Sequence, residues 1–243
     1  GAPDRPSVAF LTPDANGAHP LSQLLPSALA ALRDDAFRNV VLVTMCADDG
    51  SAERRRAESA ADVVVDGHAA APAAVANAIA DLGVEMLVDM CGHAGSADVL
   101  EVVARRPARI NVAGGLGTPA PMGGGLGVYD YALADAVVAP KRLAARAGWA
   151  DDEHRCVRLP HSYQVGDAEA YKRHELAAAD APTARDDHGL RDGAVVLTCM
   201  NRPHKVDAAT FDAWVRTIRD LAHPADDAQE VDAQLWLYAP TAA

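Results

Sequence analysis

Aromatic residues are scarce, at 5% of the chain, and only four cysteines occur among 243 residues. Cys46, Cys91, Cys156 and Cys199 are widely spaced, with no CxxC pair and no close Cys/His cluster. Zinc-ligand spacing is therefore missing, and no metal site is expected. Three of the four sit in or at the end of apolar runs, where reduced cysteine acts as a small buried hydrophobe. There is no run of about 18 apolar residues to span a bilayer and no basic-then-apolar leader. The sequence opens on Gly1 rather than Met, which leaves room for an upstream start.

Positive charge is also in short supply. Against 34 Asp and Glu stand 22 Lys and Arg, giving a net charge of -12 and a pI near 5.1. A nucleic-acid or anionic-membrane surface needs concentrated positive charge, so neither partner is expected. A phosphate site needs only a local patch and stays open. No repeat of 20–50 residues is visible, which excludes a solenoid within this stretch.

What is present is apolar residue in quantity, half of the chain, enough for a core and for more than one folding unit. Strand-like runs at 7–11, 40–45, 63–65 and 85–90 alternate with helical patterns at 21–33, 52–60, 73–82 and 97–105. Short strands at 110–113 and 131–133 extend the series. That alternation predicts a Rossmann-like, doubly wound parallel sheet of the α/β class over residues 1–165. In such sheets ligands bind beyond the carboxyl ends of the strands, where the loops carrying Asp14, His19, His93 and Gly117 belong. A polar stretch at 166–192 reads as a linker. A second unit, 193–243, follows with a strand at 194–199, a helix at 207–221 and a strand at 234–238. Two strands and one helix do not enclose a core, so this unit reads as incomplete or as packed on the first.

The segment 197–215, LTCMNRPHKVDAATFDAWV, carries the clearest chemistry. An apolar strand ends in polar residues and Lys205 just before a helix that Asp207 can cap, with Phe211, Trp214, Val215 and Ile218 at helical spacing. Free N–H groups, the positive end of the helix dipole and a lysine charge would meet there, as a phosphate requires. A solvated loop lysine is the alternative reading. The glycine-rich stretch 114–127 does not make a dinucleotide fingerprint. It lies far from the first strand, and Pro119 and Pro121 interrupt any helix after it.

Met200, Asn201, His204, Lys205, Trp214 and the strand Leu235, Trp236, Leu237 resemble the nucleotide-sugar domain of the protein O-GlcNAc transferases. The family pattern there reads FN, two variable residues, YK, a helix with tryptophan, then LWLL. Six further segments resemble the same family in the same order: TPDANGAHPLSQLL at 12–25, LVDMCGH at 87–93, RRPARINV at 105–112, GLGT at 115–118, YDYALAD at 129–135 and LPHSYQ at 159–164. The resemblance implies a GT-B fold: a complete acceptor-side domain and the start of a second Rossmann-like, nucleotide-sugar domain.

It also implies roles. His19 and His93 are the catalytic candidates. His19 matches the histidine of an HP motif beside the sugar and acceptor and is expected either to take a proton or to hold one by hydrogen bond. His93 matches the histidine of an NGHT or TGHT segment whose glycines permit close approach to a ligand. Lys205 matches the lysine on the donor diphosphate, with Asn201, Arg202 and His161 on the donor side. Gly117 and Thr118 match the acceptor-side loop. Bland readings stand beside these: a capping or loop histidine at 19, and interior loop-fixing histidines at 93 and 161. The chain departs from the family at Gly115, Leu116, Arg202 and His204. The implied reaction is transfer of N-acetylglucosamine from UDP-GlcNAc to Ser or Thr of cytoplasmic or nuclear proteins, with inversion and without metal or cofactor. This piece alone is expected to be inactive, because later parts of the donor domain are not in it. A GDP-fucose protein O-fucosyltransferase is the nearest alternative, and a non-catalytic binding or scaffold remnant the alternative of another class. A nicotinamide-dependent oxidoreductase is disfavoured by the missing fingerprint.

Overall fold

The computed structural model describes residues 5–17, 19–92, 96–114, 127–141, 155–164, 166, 184–224 and 229–238. Backbone packing divides the chain into a unit of residues 1–173 and a unit of residues 174–243. In the first, β1 (Ser7–Thr12), β2 (Asn39–Thr44), β3 (Val63–Asp66), β4 (Met86–Asp89), β5 (Ile110–Ala113), β6 (Tyr131–Asp135) and β7 (Cys156–Leu159) form one sheet in the order β3-β2-β1-β4-β5-β6-β7. Every pair is parallel. The helices are α1 (Leu21–Asp35), α2 (Ala52–Ala60), α3 (Pro72–Asp81) and α4 (Ala97–Ala104).

Strand periodicity explains the two-sided core. Along β1, Val8 and Phe10 face α1 and α2 with Leu25, Leu29 and Ala57. Ala9 and Leu11 face the other way, into a cluster with Val75, Ile79, Val99 and Val102 of α3 and α4. Both faces are covered, which is why the central strands read as continuous apolar runs rather than alternating ones. The strand order reverses between β1 and β4, so the loops after these two strands flank the crevice of the sheet.

The first six strands and four helices fall where the hydrophobic pattern predicts them. Strand β7 was not anticipated. It is a four-residue edge strand with Arg158 inside it and Val157 42% exposed, so it lacks the apolar run that marks its neighbours. Pro20 occupies the cap position just outside α1.

The second unit contains β8 (Val195–Cys199), α5 (Ala208–Ala222) and β9 (Ala233–Leu237), with β8 and β9 parallel. Asp207 caps α5 by accepting the Thr210 N–H at 2.7 Å. Trp214 and Ile218 of α5 are half-buried, but no residue of the helix is fully buried, and Phe211 and Val215 are exposed. The helical pattern is present without a core beneath it. Among the described residues, no helix is long and apolar enough to cross a membrane.

Candidate functional site

In the first unit the chemistry gathers at the carboxyl edge of the sheet. The loop after β1 is fixed at several points. Ser22, fully buried, donates its hydroxyl to the carbonyls of Asn16 and His19, both at 2.6 Å. The Gly17 N–H donates to Asp49 Oδ2 at 2.8 Å, which ties this loop to the one after β2. Hydrogen bonds from the Ser51 hydroxyl and from the Gly17 and Ser51 amides hold the Asp49 carboxyl down at about 2. His19 is half-buried here. Its Nδ1 accepts the Leu21 N–H at 3.2 Å, and its Nε2 lies 3.8 Å from Asp14 Oδ2.

Beneath these loops Arg54, 1% exposed, spans β2, α2 and the loop after β1. Its guanidinium donates to Glu58 Oε1 at 2.6 Å, Thr44 Oγ1 at 3.0 Å, the Cys46 carbonyl at 3.4 Å and the Ala15 carbonyl at 3.5 Å. A buried charge needs this many partners.

The loop after β4 is organised by Asp89, which is also buried. Its Oδ1 accepts the N–H groups of Cys91 and Gly92, both at 3.0 Å, and its Oδ2 accepts the Tyr129 hydroxyl. Gly92 turns at φ 51, a conformation that glycine adopts without steric cost. Burial, with Asp89 beside it, pushes both the Tyr129 hydroxyl and the Cys91 thiol well up, and Asp14 adds to the negative potential at the thiol. Further along the edge, Asp135 accepts the amides of Val137, Val138 and Tyr163, which draws the 161–163 segment to the end of β6. The Val138 and Tyr163 amides hold this carboxyl below its ordinary range.

In the second unit a pocket of about 360 Å³ opens between the ends of β8 and β9 and the start of α5, lined among others by Cys199, Asn201, Pro203, Phe211, Leu237 and Tyr238. Asn201 lines it, whereas Arg202 and Lys205 are exposed beside it, with Lys205 ending the tight turn Pro203–Lys205 that leads into α5. Strand ends and a helix start meet at this pocket, and Lys205 lies in the turn between them without lining it.

The profile of Glycosyl transferase family 41 matches residues 3–179 of this chain. The chain belongs to that family. It is 26% identical over 209 residues to a probable UDP-N-acetylglucosamine–peptide N-acetylglucosaminyltransferase, SEC, of Arabidopsis thaliana, covering 86% of this chain and 20% of that protein. It is 28% identical over 189 residues to the UDP-N-acetylglucosamine–peptide N-acetylglucosaminyltransferase of Caenorhabditis elegans, covering 76% of this chain and 15% of that one. The chain thus spans a fifth or less of these relatives. Among solved structures, an O-GlcNAc transferase mutant of Thermobaculum terrenum superposes with a TM-score of 0.65 at 20% identity, covering 96% of this chain and 38% of that one. The lipopolysaccharide outer core galactosyltransferase WaaB in its apo form gives 0.50 at 11% identity, over 95% and 60% of the two chains. These two likenesses establish the GT-B type of α/β fold.

Of the residues that the family resemblance singles out, His19 lies in the loop after β1, at the carboxyl edge of the sheet. His161 is exposed just after β7, Asn201 lines the pocket of the second unit, and Arg202 and Lys205 are exposed in the adjoining turn without lining it. His93, Gly117 and Thr118 fall outside the described residues. Sequence reasoning missed Arg54, Asp49, Asp89 and Tyr129 as organisers of this family 41 edge. A signal existed for two of them. Asp89 closes an apolar strand, and Arg54 shares a helix face with the small buried residues Ala57 and Ala60.

Proposed function

We propose that this chain forms part of a glycosyltransferase that moves N-acetylglucosamine from UDP-GlcNAc to Ser or Thr hydroxyls of intracellular proteins. The observation that carries the reading is the family 41 match over residues 3–179, joined by two relatives named for this transfer to peptides. The geometry is compatible with it. Transfer needs a group near the reacting sugar, donors for the departing diphosphate and a water-poor crevice. In this reading the loops carrying His19 and His93 supply the first, with Gly117 and Thr118 on the acceptor side. Lys205, Asn201, Arg202 and the start of α5 supply the second, with His161 on the same donor side. The sugar nucleotide is the donor substrate, and the reaction is assigned no metal or cofactor.

The test is a donor assay on the native protein that carries this chain, with radiolabelled UDP-GlcNAc and GDP-fucose offered separately with a Ser/Thr-rich protein acceptor. Incorporation from UDP-GlcNAc is the expected result. Incorporation from GDP-fucose alone would replace the reading with protein O-fucosylation.

A further inference from the structure

His19 sits in the loop after β1 with each of its two ring nitrogens facing a different group. A neutral imidazole carries one N–H and one lone pair, so the bond made by one nitrogen dictates what the other has to offer. The lone pair is already used. The Leu21 N–H, in the first turn of α1 and without an acceptor inside the helix, points at Nδ1 at 3.2 Å. A proton on Nδ1 would set donor against donor and leave that amide unsatisfied. The proton of the neutral ring therefore belongs on Nε2, which faces Asp14 Oδ2 at 3.8 Å. The carboxylate favours an N–H there and disfavours a bare lone pair.

The backbone keeps this arrangement in place. The Ser22 hydroxyl holds the His19 carbonyl, Asp49 holds Gly17, and Arg54 holds Ala15, so rotating the ring away breaks the cap without shifting the residue. Among the described residues, Asp14 is the charged group that faces the ring in an ion-pair geometry.

We infer that His19 works as a hydrogen-bond donor locked in the Nε2–H tautomer, and that it is not the base that takes the acceptor's proton. At 3.8 Å Asp14 Oδ2 is beyond hydrogen-bond reach, so this N–H on a half-exposed side chain is left for an oxygen of the bound ligand. Under the proposed function, on which only the ligand's identity rests, that oxygen belongs to the nucleotide sugar.

The tautomer is tested without any substrate. The full chain is labelled with 15N-histidine, and two-bond 1H–15N correlation spectra are recorded at alkaline pH, with His19→Asn assigning the signal. A single Nε2–H species with Nδ1 as a bare acceptor supports the inference. A Nδ1–H species, or the averaged mixture of a free histidine, overturns it. The role is tested in the native protein by transfer from UDP-GlcNAc. The amide nitrogen of His19→Gln can stand in for Nε2–H, whereas Oδ1 of His19→Asn replaces only the cap. The donor role predicts that Gln keeps turnover within about tenfold of wild type, while Asn and Ala lose about 100-fold, the usual effect of removing one such donor. Equal loss in all three, with melting curves unchanged, overturns it. If the wild-type protein transfers no sugar at all, the proposed function fails while the tautomer result stands.

Discussion

Replacing Arg54 with methionine tests whether the loop carrying His19 is held from below. The substitution keeps an unbranched apolar stem and removes the guanidinium, and with it bonds to Glu58 at 2.6 Å, Thr44 at 3.0 Å, Cys46 at 3.4 Å and Ala15 at 3.5 Å. Breaking a buried charged pair by deleting one partner costs about 3–5 kcal/mol. Here the remaining partner, the Glu58 side chain, is 32% exposed and regains water, and the two carbonyl contacts are long. The lower end therefore applies, about 3 kcal/mol. For a unit of this size, 1 kcal/mol moves the melting temperature by about 2–4 °C, so the loss should be about 6–12 °C. Thermal unfolding followed by far-UV circular dichroism reads this directly. Arg54→Lys keeps a charge beside Glu58 but not the fork that reaches both loops, and should fall between wild type and Met. In the Met variant, hydrogen exchange at Gly17 should also quicken, because the loop loses its anchor at Ala15. A melting temperature within about 2 °C of wild type, with Gly17 exchange unchanged, would refute the argument.

Three further outcomes follow from the same edge. Asp49 has a folded pKa of about 2, below its unfolded value, so its latch on Gly17 is fully present above an unfolded pKa of about 4 and is lost as pH falls through 2. The Gly17 amide shift should titrate near 2 in wild type and lose that step in Asp49→Ala. Gly114→Ala would place a Cβ 2.2 Å from Val88 Cγ1 in the centre of the sheet, so urea unfolding should report a loss of about 1–3 kcal/mol. Tyr129→Phe removes the hydroxyl that Asp89 accepts and should cost about 1–3 kcal/mol in the same assay; no change would mean that Asp89 finds water instead.

Much of the first unit is legible in the sequence because its strands are buried on both faces. Runs such as VVLVT and VAFL carry their own signal, and the helices between them start at recognisable signals such as the Ser51 cap and Pro72 at the first helical position. Legibility ends where burial is not apolar. Arg54 sits in ERRRAES, which reads as a solvated helix, yet its face is the one that carries Ala57 and Ala60 into the core. Strand β7 is short and charged at Arg158, and only its pairing with β6 makes it a strand. The site is legible in a different way. Lys205 and Asp207 announce a helix start after a strand, but the capping of α1 by the His19 ring depends on a 3.2 Å approach that no spacing reveals. Asp135 likewise appears as the end of a strand, and its hold on the Tyr163 amide joins segments 28 residues apart.

The central claim is that the strand end and helix start of the second unit receive a nucleotide diphosphate through Lys205. Calorimetric titration of UDP into the native protein carrying this chain, wild type against Lys205→Met, tests it most directly. A charge-assisted hydrogen bond contributes about 1.5–3 kcal/mol, so the methionine variant should bind UDP about 10–100-fold more weakly while melting at the same temperature. Equal affinity in the two proteins would contradict the account.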